Sequence, residues 1–313
     1  MHFHLPALRA AGFHLNGIAG RPNSVNAIEV AKEFQIETVY NNAIQLIEDS
    51  QQFDALLIAS SSDSLTDHLL RLQDLSIPVL VEKPALSRFE DFEKAEFKKL
   101  NPNRVMVGYN RRFYPSIRAL KQGIADNGHG ILNIKIPELS GSTNFSLADL
   151  KSCLRLNTVH IFDLLFFLFP IQDFKKEIFV YWNKNLPKGI LVVFQNEDFL
   201  VNLRITFGTP GNYVFEYGCD NTLTTLEPLE KINHFSGMQI IEPTSDHPVR
   251  RYLPQRIAVA TEAPNLTYKP GFLEQSKHFF ELSKGLPVNG HASVADAGNV
   301  SKLVEEIVSL IDE

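Results

Sequence analysis

The run Pro78-Val79-Leu80-Val81-Glu82-Lys83-Pro84 decides how the rest of the chain is read. A short apolar segment bounded by prolines reads as a buried strand of a parallel sheet. Ligands of such sheets sit beyond the carboxyl ends of the strands, so Lys83 falls where an α/β protein carries its chemistry. Pro84 has no N–H to extend the ladder and restricts the residue before it. It therefore fixes where the backbone leaves the sheet and how Lys83 is presented. The plainer alternative is that Glu82 and Lys83 form a solvated pair at a strand end.

Upstream of this run, Leu5–Ala11 reads as the latter part of a helix, ended by Gly12. Leu15–Ala19 reads as a strand. Ser24 can cap a helix in which Val25, Ile28, Ala31 and Phe34 keep helical spacing. Strands are expected at Glu37–Tyr40, Ala55–Ala59 and Arg104–Tyr109, and helices at Ala43–Glu48, from a cap at Asp63 or Ser64 through Leu75, and at Phe89–Leu100. Strands alternating with helices give a parallel sheet with right-handed crossovers, the doubly wound class most often used for nucleotides.

Such a fold opens with a strand, a G-x-G-x-x-G turn and a helix. This sequence opens inside the helix, and Gly17 and Gly20 flank the second strand instead. The first strand is central in the usual strand order. Its absence sets two unpaired ladders opposite each other, and each buried unpaired amide costs about 1–3 kcal/mol. Two outcomes are open. Either the sheet closes differently, or an in-frame strand and glycine turn of about 12–20 residues precede Met1. In the second case the 313-residue chain binds a dinucleotide weakly. After the second strand comes Ala19-Gly20-Arg21-Pro22-Asn23-Ser24. An arginine and a serine without an acid suit a 2′-phosphate, so NADP is expected over NAD, with Arg21 and Ser24 as contacts. The alternative is a solvated loop with Ser24 as a cap.

The chain is long enough, at 313 residues, for two domains, and 44% hydrophobic with 21% charged residues is globular composition. A net charge of −6 gives no basic surplus for nucleic acid or an anionic membrane. Cys153 and Cys219 are too few for a disulfide framework and fit a reducing cytoplasm. The longest apolar run, Ile161–Phe169, is short of a bilayer and interrupted by Asp163. His2, His4 and His14 have no carboxylate at ligand spacing, so no metal is expected.

Several stretches together resemble the glucose–fructose oxidoreductase / inositol dehydrogenase (Gfo/Idh/MocA) family. They are His4–Arg9 (HLPALR), Leu57–Ser60 (LIAS), Val81–Pro84 (VEKP), Val107–Phe113 (VGYNRRF), Asn157–Leu165 (NTVHIFDLL), Gly271–Gln275 (GFLEQ) and Ser293–Ala297 (SVADA). The resemblance implies a Rossmann domain, here residues 1–110, followed by an α+β domain with an open, mainly antiparallel sheet, here 111–313. It implies NAD(P)-linked oxidation or reduction of a sugar, nucleotide sugar or cyclitol. Lys83 matches the lysine beside the nicotinamide and the substrate hydroxyl, and His160 the acid/base histidine. Asp163 matches the acid one helical turn later. Substrate contacts are implied for Tyr109, Asn110, Arg111, Arg112, Asn157 and Asp163, and cofactor contacts for Ser60, Glu82 and Lys83 beside Arg21 and Ser24. The chain departs from the family at Leu156, where many members have an aspartate, and at Ser60–Leu65, which usually holds a proline and a histidine. These departures and the missing glycine loop motivate an alternative: a family member that binds or regulates without catalysing.

Alcohol oxidation needs a hydride acceptor, a base for the hydroxyl proton and fixed geometry. A desolvated lysine near a cationic ring loses some hold on its proton, and histidine titrates near neutrality. Asn157, His160 and Asp163 lie near one stripe of a strongly apolar helix, Leu154–Phe169. The alternative is that His160 is a core histidine bonded to Asp163. Arg111 and Arg112 can grip a phosphate or carboxylate, or begin a solvated helix. Further strands are expected at Ile131–Ile136, Glu177–Trp182, Ile190–Gln195, Phe199–Phe207, Tyr213–Tyr217 and Leu223–Leu226, while Met238–Thr261 gives no clear limits. A partly apolar outer face on that sheet is expected to form a homodimer or homotetramer.

Overall fold

The computed structural model describes residues 2–72, 76–86, 89–94, 100–101, 104–139, 141, 144–258 and 267–312. The chain forms two compact units. The first comprises Met1–Phe113, Val159–Phe167 and Asn265–Glu306, and the second Tyr114–Thr158, Leu168–Pro264 and Ile307–Glu313. The first unit thus ends its opening segment close to residue 110 but also takes in two segments from much later in the chain.

In the first unit, strands β1 (Gly17–Ala19) and β2 (Thr38–Tyr40) pair in parallel. Strands β3 (Leu56–Ile58), β4 (Val79–Val81) and β5 (Val105–Val107) form a second parallel sheet with β4 in the middle. All three residues of β4 are buried, as its apolar composition requires. Helices His4–Ala11, Val25–Glu33, Ala43–Glu48, Ser62–Arg71 and Phe89–Phe92 alternate with the strands. Ser24 and Asn42 cap the second and third, accepting hydrogen bonds from the amides of Ala27 and Gln45. The expected extension of the fourth to Leu75, and most of the expected helix beyond Phe92, lie outside the described residues.

Among the described residues the two sheets do not join, so the sheet has not closed in a different order. In β3, the Leu56 amide donates to Pro78 and the Ile58 carbonyl accepts from Glu82, both on the β4 side. Alternation therefore turns the Leu57 peptide groups the other way. In the same manner the Asn16 carbonyl accepts from Thr38 of β2, which turns Gly17 and Ala19 outward. A cavity of about 570 Å³ is lined by both strands β1 and β3. Helix His4–Ala11 bridges the two halves. Leu5 packs with Ile18, Ala31, Phe34 and Ile36, while Leu8 packs with Leu80, Met106, Phe113 and Phe279.

The second unit holds an eight-stranded sheet. Its strands are β6 (Gly130–Glu138), β7 (Lys175–Asn183), β8 (Leu186–Gln195), β9 (Phe199–Phe207), β10 (Val214–Cys219), β11 (Thr222–Leu226), β12 (Ile232–Ile241) and β13 (Arg251–Ala258). Their order is β13-β12-β11-β10-β6-β9-β8-β7, and only β6–β9 is a parallel pair. Val201, Leu203, Ile205 and Phe207 of β9 are buried while Arg204 is exposed, which is the alternation its sequence carries. The expected single helix from Leu154 is instead a π-helical turn, Leu154–Thr158, followed by an α-helix, Val159–Leu168. The buried Glu138 carboxylate accepts hydrogen bonds there from Asn157 (2.7 Å) and Thr158 (2.9 Å), and also from Tyr213 (3.2 Å) and Cys153 (3.2 Å).

Candidate active site

The candidate site lies in the first unit and is built on the end of β4. The Glu82 amide still donates to Ile58, at 2.8 Å, and the Lys83–Pro84 peptide is cis. Beside it, the Gly108 amide donates to the Val81 carbonyl at 2.7 Å. A Cβ on Gly108 would stand 3.3 Å from both the Glu82 Cα and the Val81 oxygen, so the small residue lets β5 exit tight against β4. The 3₁₀ turn Asn110–Phe113 follows directly.

Glu82 accepts from His4 Nε2 at 2.5 Å and from the Lys83 amide at 3.1 Å. Burial pushes its carboxyl up, but the His4 hydrogen bond and the charges of His4 and Lys83 outweigh that and hold it below the usual range. Glu82 therefore braces both the start of the first helix and the loop carrying Lys83. Burial pulls the Lys83 ammonium down from its ordinary value. Arg111 and Lys269 act in the same direction and Glu82 against it. His160 is depressed well below the ordinary histidine value by burial, then by the charges of Arg111, Lys83 and Lys269. The shift favours the neutral imidazole. Its ring meets Tyr109 edge-on at 5.9 Å, and Tyr109 is held well above the ordinary phenol value by burial and by Asp163. Both Tyr109 Oη and His160 Nδ1 are shut off from solvent with no hydrogen-bond partner among the described residues.

Lys83, Tyr109, Arg111 and His160 are thus gathered in one electrostatic neighbourhood. Asn110 serves it indirectly, donating to the Pro270 carbonyl at 2.9 Å and tying down the loop that carries Lys269. The expected substrate contact through Arg112 and Asp163 gives way to a different arrangement. Asp163 is fully buried, and Arg112 reaches it with Nε at 2.9 Å from both oxygens and with a terminal nitrogen at 2.7 Å. His160 and Asp163 do not pair. Three residues along the helix, Asp163 turns into the interior, where burial pushes its carboxyl up to about 6 against the pull of Arg112. Asn157 belongs to the second unit, engaged by Glu138 and Tyr213. Two residues were not legible as site members: His4, which pairs with Glu82, and Lys269, whose Nζ sits over the rings of Phe3 and Phe272 at 4.6 and 5.3 Å. The adjoining Gly271–Gln275 motif was the available signal for the second.

For a dinucleotide, the fit is good at the ends of the molecule. The exposed Arg21 lines the cavity after β1, and Ser60, bonded to His68 at 3.1 Å, lines it after β3. The Ser24 hydroxyl is spent as the helix cap. Lys83 and Glu82 stand at the β4 end. Between them, a diphosphate would meet no glycine turn among the described residues, and Leu5 and Leu8 of helix His4–Ala11 line the cavity there.

Residues 2–109 match the family model of an oxidoreductase family with an NAD-binding Rossmann fold, GFO_IDH_MocA. Among curated proteins, none is similar in sequence to the chain. Three solved structures share the fold almost end to end. A levoglucosan dehydrogenase in complex with NADH and levoglucosan has a TM-score of 0.74 at 16% identity, over 99% of this chain and 93% of its own. A dehydrogenase from Clostridium difficile has 0.73 at 18%, over 98% and 94%. A UDP-N-acetylglucosamine 3-dehydrogenase from Acidithiobacillus ferrooxidans has 0.72 at 14%, over 98% and 92%. Residues 2–109 thus match the NAD-binding Rossmann domain of the Gfo/Idh/MocA oxidoreductase family, and the whole chain shares the two-part fold of these dehydrogenase structures.

Proposed function

We propose that the chain is an NAD(P)-linked oxidoreductase that interconverts an alcohol and a carbonyl at a ring carbon of a sugar, nucleotide sugar or cyclitol. One observation carries this reading: a lysine with a weakened hold on its proton shares the β4 end with a neutral histidine whose Nδ1 is unpartnered. In the oxidising direction the carbinol carbon gives up a hydride and its oxygen a proton. Accepting that hydride is the chemistry the nicotinamide supplies when bound. Lys83 in its amine form takes the proton at Nζ, and Glu82 holds the loop that orients it. His160, pushed toward its neutral form by burial and then by its cationic neighbours, accepts from or donates to the reacting or adjacent hydroxyl. Arg112 and Asp163 serve as internal bracing. The cluster of Lys83, Arg111 and Lys269 favours a sugar bearing an anionic group, as in a nucleotide sugar.

Arg21, exposed on the cavity after β1, favours NADP over NAD. No helix among the described residues is long and apolar enough to cross a membrane. The two free thiols agree with a cytoplasmic setting. Self-association to a homodimer or homotetramer would use the outer sheet face, where Phe179, Tyr181, Met238 and Ile240 are exposed.

A second reading, a binding or regulatory member without turnover, is favoured by the divided sheet. The test is a fluorescence titration with NADPH followed by turnover assays over free and nucleotide sugars. The enzyme reading expects saturable binding and a turnover that falls roughly 10²–10⁴-fold in Lys83→Ala and in His160→Ala. Saturable binding with no turnover on any sugar supports the second reading. Wild-type rates in both variants would move the chemistry elsewhere.

A further inference from the structure

The second unit carries a group of side chains that the proposed oxidoreductase chemistry does not use. His129 precedes β6, Cys219 ends β10, and Asp220 begins the turn into β11. Ligand atoms of all three lie within 4.8 Å of one another. The individual separations are 3.2 Å from His129 Nε2 to Asp220 Oδ1, 3.6 Å from Cys219 Sγ to His129 Nε2, and 3.8 Å from Cys219 Sγ to Asp220 Oδ2. Sulfur, nitrogen and oxygen ligands on one tetrahedral zinc ion stand about 3.3–3.7 Å apart, given their usual bond lengths. We propose that His129, Cys219 and Asp220 form a three-ligand zinc site, with the fourth tetrahedral position open to water.

The surroundings are built for this. His129 Nδ1 lies 3.0 Å from the Asn127 carbonyl, so the ring donates there and keeps the Nε2 lone pair for a metal. The His129 carbonyl accepts from the Tyr217 hydroxyl at 2.7 Å. The next residue is Gly130, with φ +143°, where a Cβ would stand 2.7 Å from the Gly218 oxygen and 2.8 Å from the Tyr217 ring. Only glycine lets the start of β6 come this close to β10, and that approach holds His129 over the turn. Thr222 Oγ1 donates to the Cys219 carbonyl at 2.8 Å and fixes the turn itself. Cys219 is buried, while His129 and Asp220 are exposed, so an ion can enter from solvent. A thiolate, an imidazole and a carboxylate select zinc over magnesium or calcium. As the Zn–S bond forms, the Cys219 S–H bond breaks and its proton passes to solvent.

The test uses the full chain, reduced and metal-free. Cobalt(II) is titrated in and its thiolate-to-metal charge-transfer band followed, and zinc is then added in competition. One ion per chain, micromolar or tighter affinity for zinc and loss of the band in Cys219→Ser are expected. His129→Ala, an exposed change that spares the fold, should weaken binding by more than the roughly 10–100-fold lost with an outer-shell partner. Cys153→Ser should leave the band intact, since that thiol donates to Glu138 and is pushed up to about 12, chiefly by burial. An absent band, or one that persists unchanged in Cys219→Ser or His129→Ala, would overturn the site.

Discussion

At Lys83 the sequence spoke through position. A buried apolar run closed by proline leaves few directions for the residue at its end, so a strand-end lysine could be singled out. What surrounds it could not. His4 bonds Glu82 and Lys269 acts on Lys83 by charge, from segments far apart in sequence, and the motifs in or beside which they lie do not say what they meet. Their charges yield a prediction with a definite sign. Lys269→Met removes a positive neighbour, eases protonation of Lys83 and should move the acid limb of kcat/KM in the oxidising direction to higher pH. Glu82→Gln removes the opposing negative charge and should move the same limb to lower pH. A limb that stays in place in both variants would show that another group titrates.

Among elements, the histidine helix carries a polar stripe on an apolar body, and a π-helical turn divides that stripe. Period alone does not tell that a π-helical turn intervenes, because the turn goes with a buried glutamate from another strand. Nor does it tell which carboxylate meets which arginine. Arg112 on the 3₁₀ turn and Asp163 on the helix are joined in the interior. Arg112→Ala leaves a buried carboxylate uncompensated and should cost about 3–5 kcal/mol of stability near neutral pH. Asp163 already sits at about 6, raised by burial above its unfolded value, so folding disfavours its ionised form. The stability that goes with the protonated form is present below the unfolded pKa and lost as pH rises through the folded one. The deficit of the Arg112→Ala variant should therefore be smaller at about pH 5 than at about pH 8 in chemical denaturation. An equal deficit at both would mean that the carboxyl is not what is left exposed to cost. Strand β9 was legible because it alternates cleanly. Strands β12 and β13 were not, since their register shifts near Phe235 break the period of two.

For the whole molecule, local pattern gave the alternation of strands and helices. It could not say that segments from the middle and end of the chain complete the first unit, because that depends on contacts with no sequence spacing. The divided sheet has a consequence for the motion of protons. The peptide groups of Leu57, Gly17 and Ala19 point away from the bonded side of their strands, and these residues are only part-buried. Those of β4 lie between two neighbours. Amide deuteration followed by mass spectrometry should find peptides covering β1 and β3 exchanging at the rate of loops, while β4 retains hydrogen until the unit opens as a whole. Slow exchange at Leu57 and Gly17, matching Leu80, would mean that something covers those edges in solution.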